Sequence, residues 1–208
     1  MLDPFATYGI FWRLRANTDL ELEFHGHDDL GLATANTIAA ARGGATHLSA
    51  CALGLGERAG NAALEQVAVA LEQTTSWRTR IDFAALQALA DTVAAASHRP
   101  IPVSQPIVGE VAFSHESGIH VSGLLRDPGT YEALDPTLFG RSRRIVLGKH
   151  SGIAAVRHAL SEHGLSLDDN QARGVLDRVR AHAEAVKRPV AMEELLAFHA
   201  ALNAPLAA

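Results

Sequence analysis

Cysteine is almost missing from this chain. Cys51 stands alone, which excludes an internal disulfide framework and suits a reducing compartment. In its apolar surroundings Cys51 reads as a buried, inert thiol. Aromatic residues make up only 5% of the sequence, so the core has to come from Ala- and Leu-rich helices in many small contacts. No apolar run approaches the ~18 residues of a membrane span. The N-terminus carries no basic-then-apolar signal segment. Basic residues are not in excess either: a net charge of -5 and a pI near 6.1 give no electrostatic footprint for nucleic acid. Internal repeats and low-complexity tracts are also absent. With membrane and nucleic-acid partners set aside, 48% hydrophobic and 20% charged residues describe an ordinary globular protein of one or two domains, expected in the cytoplasm.

What is present alternates between helix and strand. Asp3-Pro4 is a helix start, and the helix is expected to run to about Ala16 with Phe5, Tyr8, Phe11, Trp12 and Leu14 as apolar contacts. Leu20 to Phe24 reads as a strand with Leu20, Leu22 and Phe24 on one side and Glu21, Glu23, His25 and His27 on the other. Leu30 to Arg42 is helical and closed by Gly43-Gly44. Thr46 to Leu53 reads as a second, buried strand, Gly54 to Asn61 as a glycine-rich loop, and Ala62 to about Gln73 as a further helix. Such alternation with short connections is the α/β signature and implies parallel strands. Beyond Trp77 the pattern changes to a helix over 81–96, a stiff Pro100 to Pro106 connector, and three final helices over 151–163, 168–186 and 191–203, with Ser151 and Asp168 as N-caps and Gly164 as a C-cap. The expected divisions are 1–96, 97–146 and 147–208.

The stretch Phe24-His25-Gly26-His27-Asp28-Asp29 carries the chemistry. Two histidines one residue apart at a strand end project from the same face. Neutral imidazole is the commonest metal-binding side chain, so the pair reads as two ligands of a divalent cation. The competing reading is one core and one surface histidine. Both the pair and the Gly54 to Asn61 loop follow strand C-termini, where α/β folds carry their sites.

Leu2-Asp3-Pro4-Phe5, the His25 to Asn36 stretch, Gly54-Leu55-Gly56-Glu57-Arg58-Ala59-Gly60-Asn61, His115-Glu116-Ser117-Gly118-Ile119-His120-Val121 and Leu147-Gly148-Lys149-His150-Ser151-Gly152 together resemble homocitrate synthases of the nitrogen-fixation type. Those enzymes are grouped with the 2-isopropylmalate synthases among metal-dependent acyl-CoA condensing enzymes. The resemblance implies condensation of acetyl-CoA with 2-oxoglutarate to give homocitrate and CoA, in the service of the nitrogenase iron–molybdenum cofactor. It implies His25, His27 and Asn61 as ligands of a divalent metal, with Mg, Mn and Zn left open. It implies His120 as an acid/base residue and Tyr131 as support for the thioester end. The alternatives are that Tyr131 only packs in a lid and that His115 positions a helix, while Glu57 and Arg58 either touch substrate or pin their loop by a mutual ion pair. His150 and Ser151 could meet a CoA or phosphate group, with Ser151 as a plain N-cap the simpler reading.

Two positions depart from the pattern: Asp28-Asp29 stands where the family has Asn-Asp, and Ser122 where Asp is common. A complete (β/α)8 barrel takes about 250 residues, and barrel-like pattern here ends near residue 77. The pattern is α/β, and the resemblance implies the last two strands and helices of a TIM barrel followed by a mainly α-helical region. Such a chain is expected to work as a homodimer or with a complementing N-terminal chain, and to be inactive alone. A 2-isopropylmalate synthase piece is the second reading, with the end at Ala208 leaving no room for a regulatory domain. A non-catalytic remnant or assembly module is the third.

Overall fold

The computed structural model describes residues 1–202. They divide into two compact units, 1–112 with 138–140, and 113–137 with 141–202. The Pro100 to Pro106 connector thus belongs to the first unit. Among the described residues no helix is long and apolar enough to cross a membrane.

In the first unit, helix α1 (Pro4–Asn17) begins where Asp3 accepts the Ala6 N–H at 2.8 Å and Pro4 occupies the first turn. Strand β1 (Glu23–His25) leads into helix α2 (Ala33–Gly43), which ends at Gly44 in the left-handed region, φ 113°. Strand β2 (His47–Ser49) then pairs parallel to β1, with Glu23 opposite His47, Phe24 opposite Leu48 and His25 opposite Ser49. Phe24 is buried and meets Phe11 edge to face at 5.7 Å, and Ala40 completes that cluster. Gly43 lets α1 and α2 cross: a Cβ there would fall 2.7 Å from the Tyr8 carbonyl oxygen. Helix α3 (Leu64–Thr74) packs Val67 and Leu71 against Ala33 and Ala41 of α2. Helix α4 (Leu86–Ser97) follows a 3₁₀ turn at Phe83–Ala85.

The second unit opens with strand β3 (Ser114–His115), parallel to β4 (Arg144–Ile145), and helix α5 (Gly118–Leu124) between them. Helices α6 (Ile153–Ser161), α7 (Asp169–Val186) and α8 (Met192–Ala200) close it. Val121, Val156, Leu160, Val175, Val179 and Leu195 form its core. Asp168 caps α7 through a complete capping box with Gln171.

Several expectations are corrected. Both strands of the first unit are three residues long; Leu20 is exposed, and the second strand stops before a 3₁₀ turn at Ala52–Gly54 in which Leu53 has φ 57°. Of the apolar residues of α1, Phe11 is buried while Phe5, Tyr8, Trp12 and Leu14 are exposed. The 81–96 helix starts later, with the 3₁₀ turn taking its first residues. Ser151 is no N-cap: Gly152 holds that place, and the buried Ser151 hydroxyl instead accepts the Gly148 N–H at 2.9 Å. Gly164 does adopt the left-handed conformation just past α6, φ 72°. Asn203 of the last expected helix lies outside the described residues.

Candidate metal and proton-transfer sites

Strand alternation places the two imidazoles. Phe24 turns inward, so His25 faces the other way, and His27 follows it across Gly26. The rings meet edge to face at 4.8 Å. Gly26 has to be glycine, since a Cβ would fall 2.7 Å from the Phe24 ring. Asn61 arrives from the glycine-rich loop through an antiparallel bridge to His27. The backbone thus sets Asn61 of the glycine-rich loop opposite His27, two residues past His25 at the end of β1.

The Asn61 amide is oriented by its nitrogen, which donates to the Leu55 carbonyl at 3.0 Å and to Cys51 Sγ at 3.4 Å. Its Oδ1 is buried without a hydrogen-bond partner. A buried orphan acceptor is costly, and a cation is one partner that would satisfy it. The donor set fits a divalent ion on that ground, and it is partial: among the described residues no three His, Cys, Asp or Glu side chains converge. A cleft of about 280 Å³ lined by Phe24, His25, His27, Asp29, Asn36 and Arg58 adjoins the pair.

The loop that delivers Asn61 is built for it. Gly56 leaves space that a Cβ would take from the Asn61 amide, at 2.5 Å, and Gly54 and Gly60 both have positive φ where the loop folds on itself. Arg58 makes a bidentate bond to Asp29, at 2.8 and 2.7 Å, so the expected Glu57–Arg58 pair is not the one formed. The guanidinium holds the Asp29 carboxyl below its ordinary value. Asp28, the departure from the family pattern, accepts the N–H of Ala33, the first residue of α2, at 2.8 Å. Cys51 is half-buried and serves as a hydrogen-bond acceptor. Sequence reasoning passed over Glu65, a buried carboxylate that accepts from Leu53 N–H at 3.1 Å and Gln105 Nε2 at 3.3 Å. Its signal was a Glu one position into the helix that follows a glycine-rich loop.

In the second unit, His120 sits in α5 and its ring stacks on Tyr131 at 4.4 Å, tilted 32°. Both are exposed. His115 is a strand residue just before α5, with Nε2 3.7 Å from the Glu132 carboxylate. The His150 N–H donates to Glu116 at 3.0 Å, and Gly148 lies so close to that carboxylate that a Cβ would be 2.5 Å away.

The chain has clear relatives. Residues 1–93 match the family described as HMGL-like, and residues 107–187 the one described as Homocitrate synthase post-HMGL domain-like. 2-Isopropylmalate synthase 2 of Caldanaerobacter subterraneus subsp. tengcongensis is 45% identical over 195 residues, 94% of this chain and 51% of that protein. Homocitrate synthase 1 of Nostoc sp. is 44% identical over 196 residues, 94% of this chain and 52% of that protein. The homocitrate synthase of Frankia alni is 49% identical over 164 residues, 79% and 47% of the two chains. The chain spans about half the length of these curated relatives. Residues 1–93 and 107–187 thus match two families in succession, HMGL-like and Homocitrate synthase post-HMGL domain-like, and nearly the whole chain is similar to about half of the 2-isopropylmalate and homocitrate synthases.

Proposed function

We propose that this chain is the C-terminal part of an acyltransferase that condenses acetyl-CoA with 2-oxoglutarate, giving homocitrate and CoA. The observation that carries the reading is the buried, unpartnered Asn61 Oδ1 on a loop bridged to His27, whose ring meets that of His25 edge to face. Those three side chains would hold a divalent cation. When bound, such an ion polarises the keto group as a Lewis acid. His120 moves the proton, taken from the acetyl methyl or given to the new alkoxide. Tyr131, stacked on it, presents a hydroxyl to the thioester end. Loss of the methyl proton leaves a carbanion that bonds to the keto carbon, and water then cleaves the thioester to release CoA.

The remaining ligands and the rest of the keto-acid pocket would come from further polypeptide completing a TIM barrel around β1 and β2, as a complementing N-terminal chain or region, with a homodimer as the assembled form. Among the described residues β1 pairs with β2 alone, and α1 exposes Phe5 to 88% and Trp12 to 60%. An open strand edge and a bare aromatic helix face are what such a completion would cover.

The test is turnover of the chain combined with the complementary half, measured as CoA release with 2-oxoglutarate, 2-oxoisovalerate and pyruvate. Preference for 2-oxoglutarate is expected, with no release by the 208-residue chain alone. The 45% identity to a 2-isopropylmalate synthase supports a second reading, and faster release with 2-oxoisovalerate would establish it. His25→Ala and His27→Ala should each lose the metal; metal content equal to wild type refutes the ligand set. The nitrogenase setting rests on the motif resemblance, and normal cofactor assembly in a strain lacking the gene would remove it.

A further inference from the structure

We propose that Glu132 and Arg143 form a positioning lock that holds the Tyr131 ring on the His120 imidazole. The lock rests on reading that ring pair as the proton-transfer site. Two exposed rings in water make a weak contact by themselves, so a fixed stack needs external constraint. Here three constraints meet. Tyr131 lies against Gly123, one turn beyond His120 in α5, in space that any Cβ would occupy. The 3₁₀ turn Pro128–Thr130 delivers it, with the Tyr131 N–H donating to the Pro128 carbonyl at 3.2 Å.

The third constraint is the residue that follows. The Glu132 side chain is only 7% exposed and takes a two-pronged bond from Arg143, Nε at 2.9 Å and Nη2 at 2.8 Å. Arg143 itself keeps 41% of its side chain exposed, but a bidentate guanidinium–carboxylate pair fixes direction as well as distance. The circuit closes on itself. Arg143 immediately precedes β4, β4 pairs with β3, and β3 leads into α5, which carries His120. His115 of β3 adds a contact to the same carboxylate, Nε2 to Oε1 at 3.7 Å. Both rings of the stack are thereby tied to one small frame.

The experiment reads the stack directly. In the 208-residue chain, the His120 Cε1–H resonance should carry an upfield ring-current shift, assigned by its loss in Tyr131→Leu and its retention in Tyr131→Phe. Arg143→Lys keeps the charge but removes the fork, and should move the resonance to its Tyr131→Leu position. Should that variant misfold, the double variant Glu132→Gln, Arg143→Met strands no buried charge and should show the same loss with a dispersed methyl spectrum. A wild-type His120 shift in the folded double variant overturns the lock. In the assembled enzyme the double variant should lower kcat about tenfold and leave the keto-acid KM unchanged. A lost ring shift with wild-type kcat overturns the positioning role. Wild-type kcat in His120→Ala instead defeats the proton-transfer reading itself, leaving the two failures distinguishable.

Discussion

At Asn61 one amide has two jobs for its two ends. The nitrogen is used up on the Leu55 carbonyl and Cys51 Sγ, which leaves the oxygen free and buried. Asn61→Asp is close in shape and adds a negative charge, yet it would set a carboxylate against the Leu55 carbonyl with no donor between them. We expect it to bind Mn²⁺ more weakly than wild type in the assembled enzyme, as read by electron paramagnetic resonance titration; tighter binding would show that charge outweighs orientation. Gly56→Ala tests the same point from outside. Its Cβ would press on the amide at 2.5 Å, and displaced outer partners typically weaken metal binding by about 10–100-fold. The expected result is that loss with little change in thermal stability.

At the level of elements, α5 and α6 meet through two bare backbones. A Cβ on Gly118 would fall 2.8 Å from the Gly152 Cα, and one on Gly152 would fall 2.9 Å from the Gly118 Cα. Backbone cannot step aside as a side-chain tip can. Gly118→Ala should therefore cost about 1–3 kcal/mol by overpacking, measured by urea unfolding. Leu160, wholly buried between α6 and α7, should cost about 2–5 kcal/mol as Leu160→Ala. Asp168→Ala removes half of a capping box on an 18-residue helix and should cost about 1 kcal/mol. If Gly118→Ala proves neutral, the two glycines are not the contact that sets the spacing of α5 and α6.

For the molecule as a whole, acid is the condition its ion pairs resist least. Arg188 grips Glu194 at 2.9 and 2.7 Å while the Ala191 N–H donates at 2.8 Å, and the carboxyl is held far below its ordinary value of 4.5. Asp29, held down by Arg58, and Asp169, held down by Arg157, move the same way. A carboxyl depressed by folding stabilises the fold above its unfolded pKa, and that contribution is lost as pH falls through the folded value. Stability should thus be insensitive to these groups above about pH 4.5 and decline below it. Glu194→Gln should be less stable near neutrality and lose less on acidification. Parallel wild-type and variant stability curves between pH 5 and 3 would deny Glu194 this role.

The sequence by itself determined what is local. Asp3-Pro4, Gly44 and Asp168 mark helix ends because a cap is satisfied within a few residues of itself. His25 and His27 share a face because side chains alternate along an extended backbone. Tertiary structure alone decided the rest. Strand lengths depend on neighbours, and β1, paired with β2 alone among the described residues, keeps three residues where the alternation suggested five. Arg58 had Glu57 beside it in the chain and chose Asp29, because the glycine-rich loop folds back over the histidines. Tyr131 meets His120, and Glu132 meets Arg143, only after the chain has turned through α5 and returned as β4. Short-range geometry is written in a handful of adjacent residues, whereas a contact between distant ones exists only when everything between them has folded.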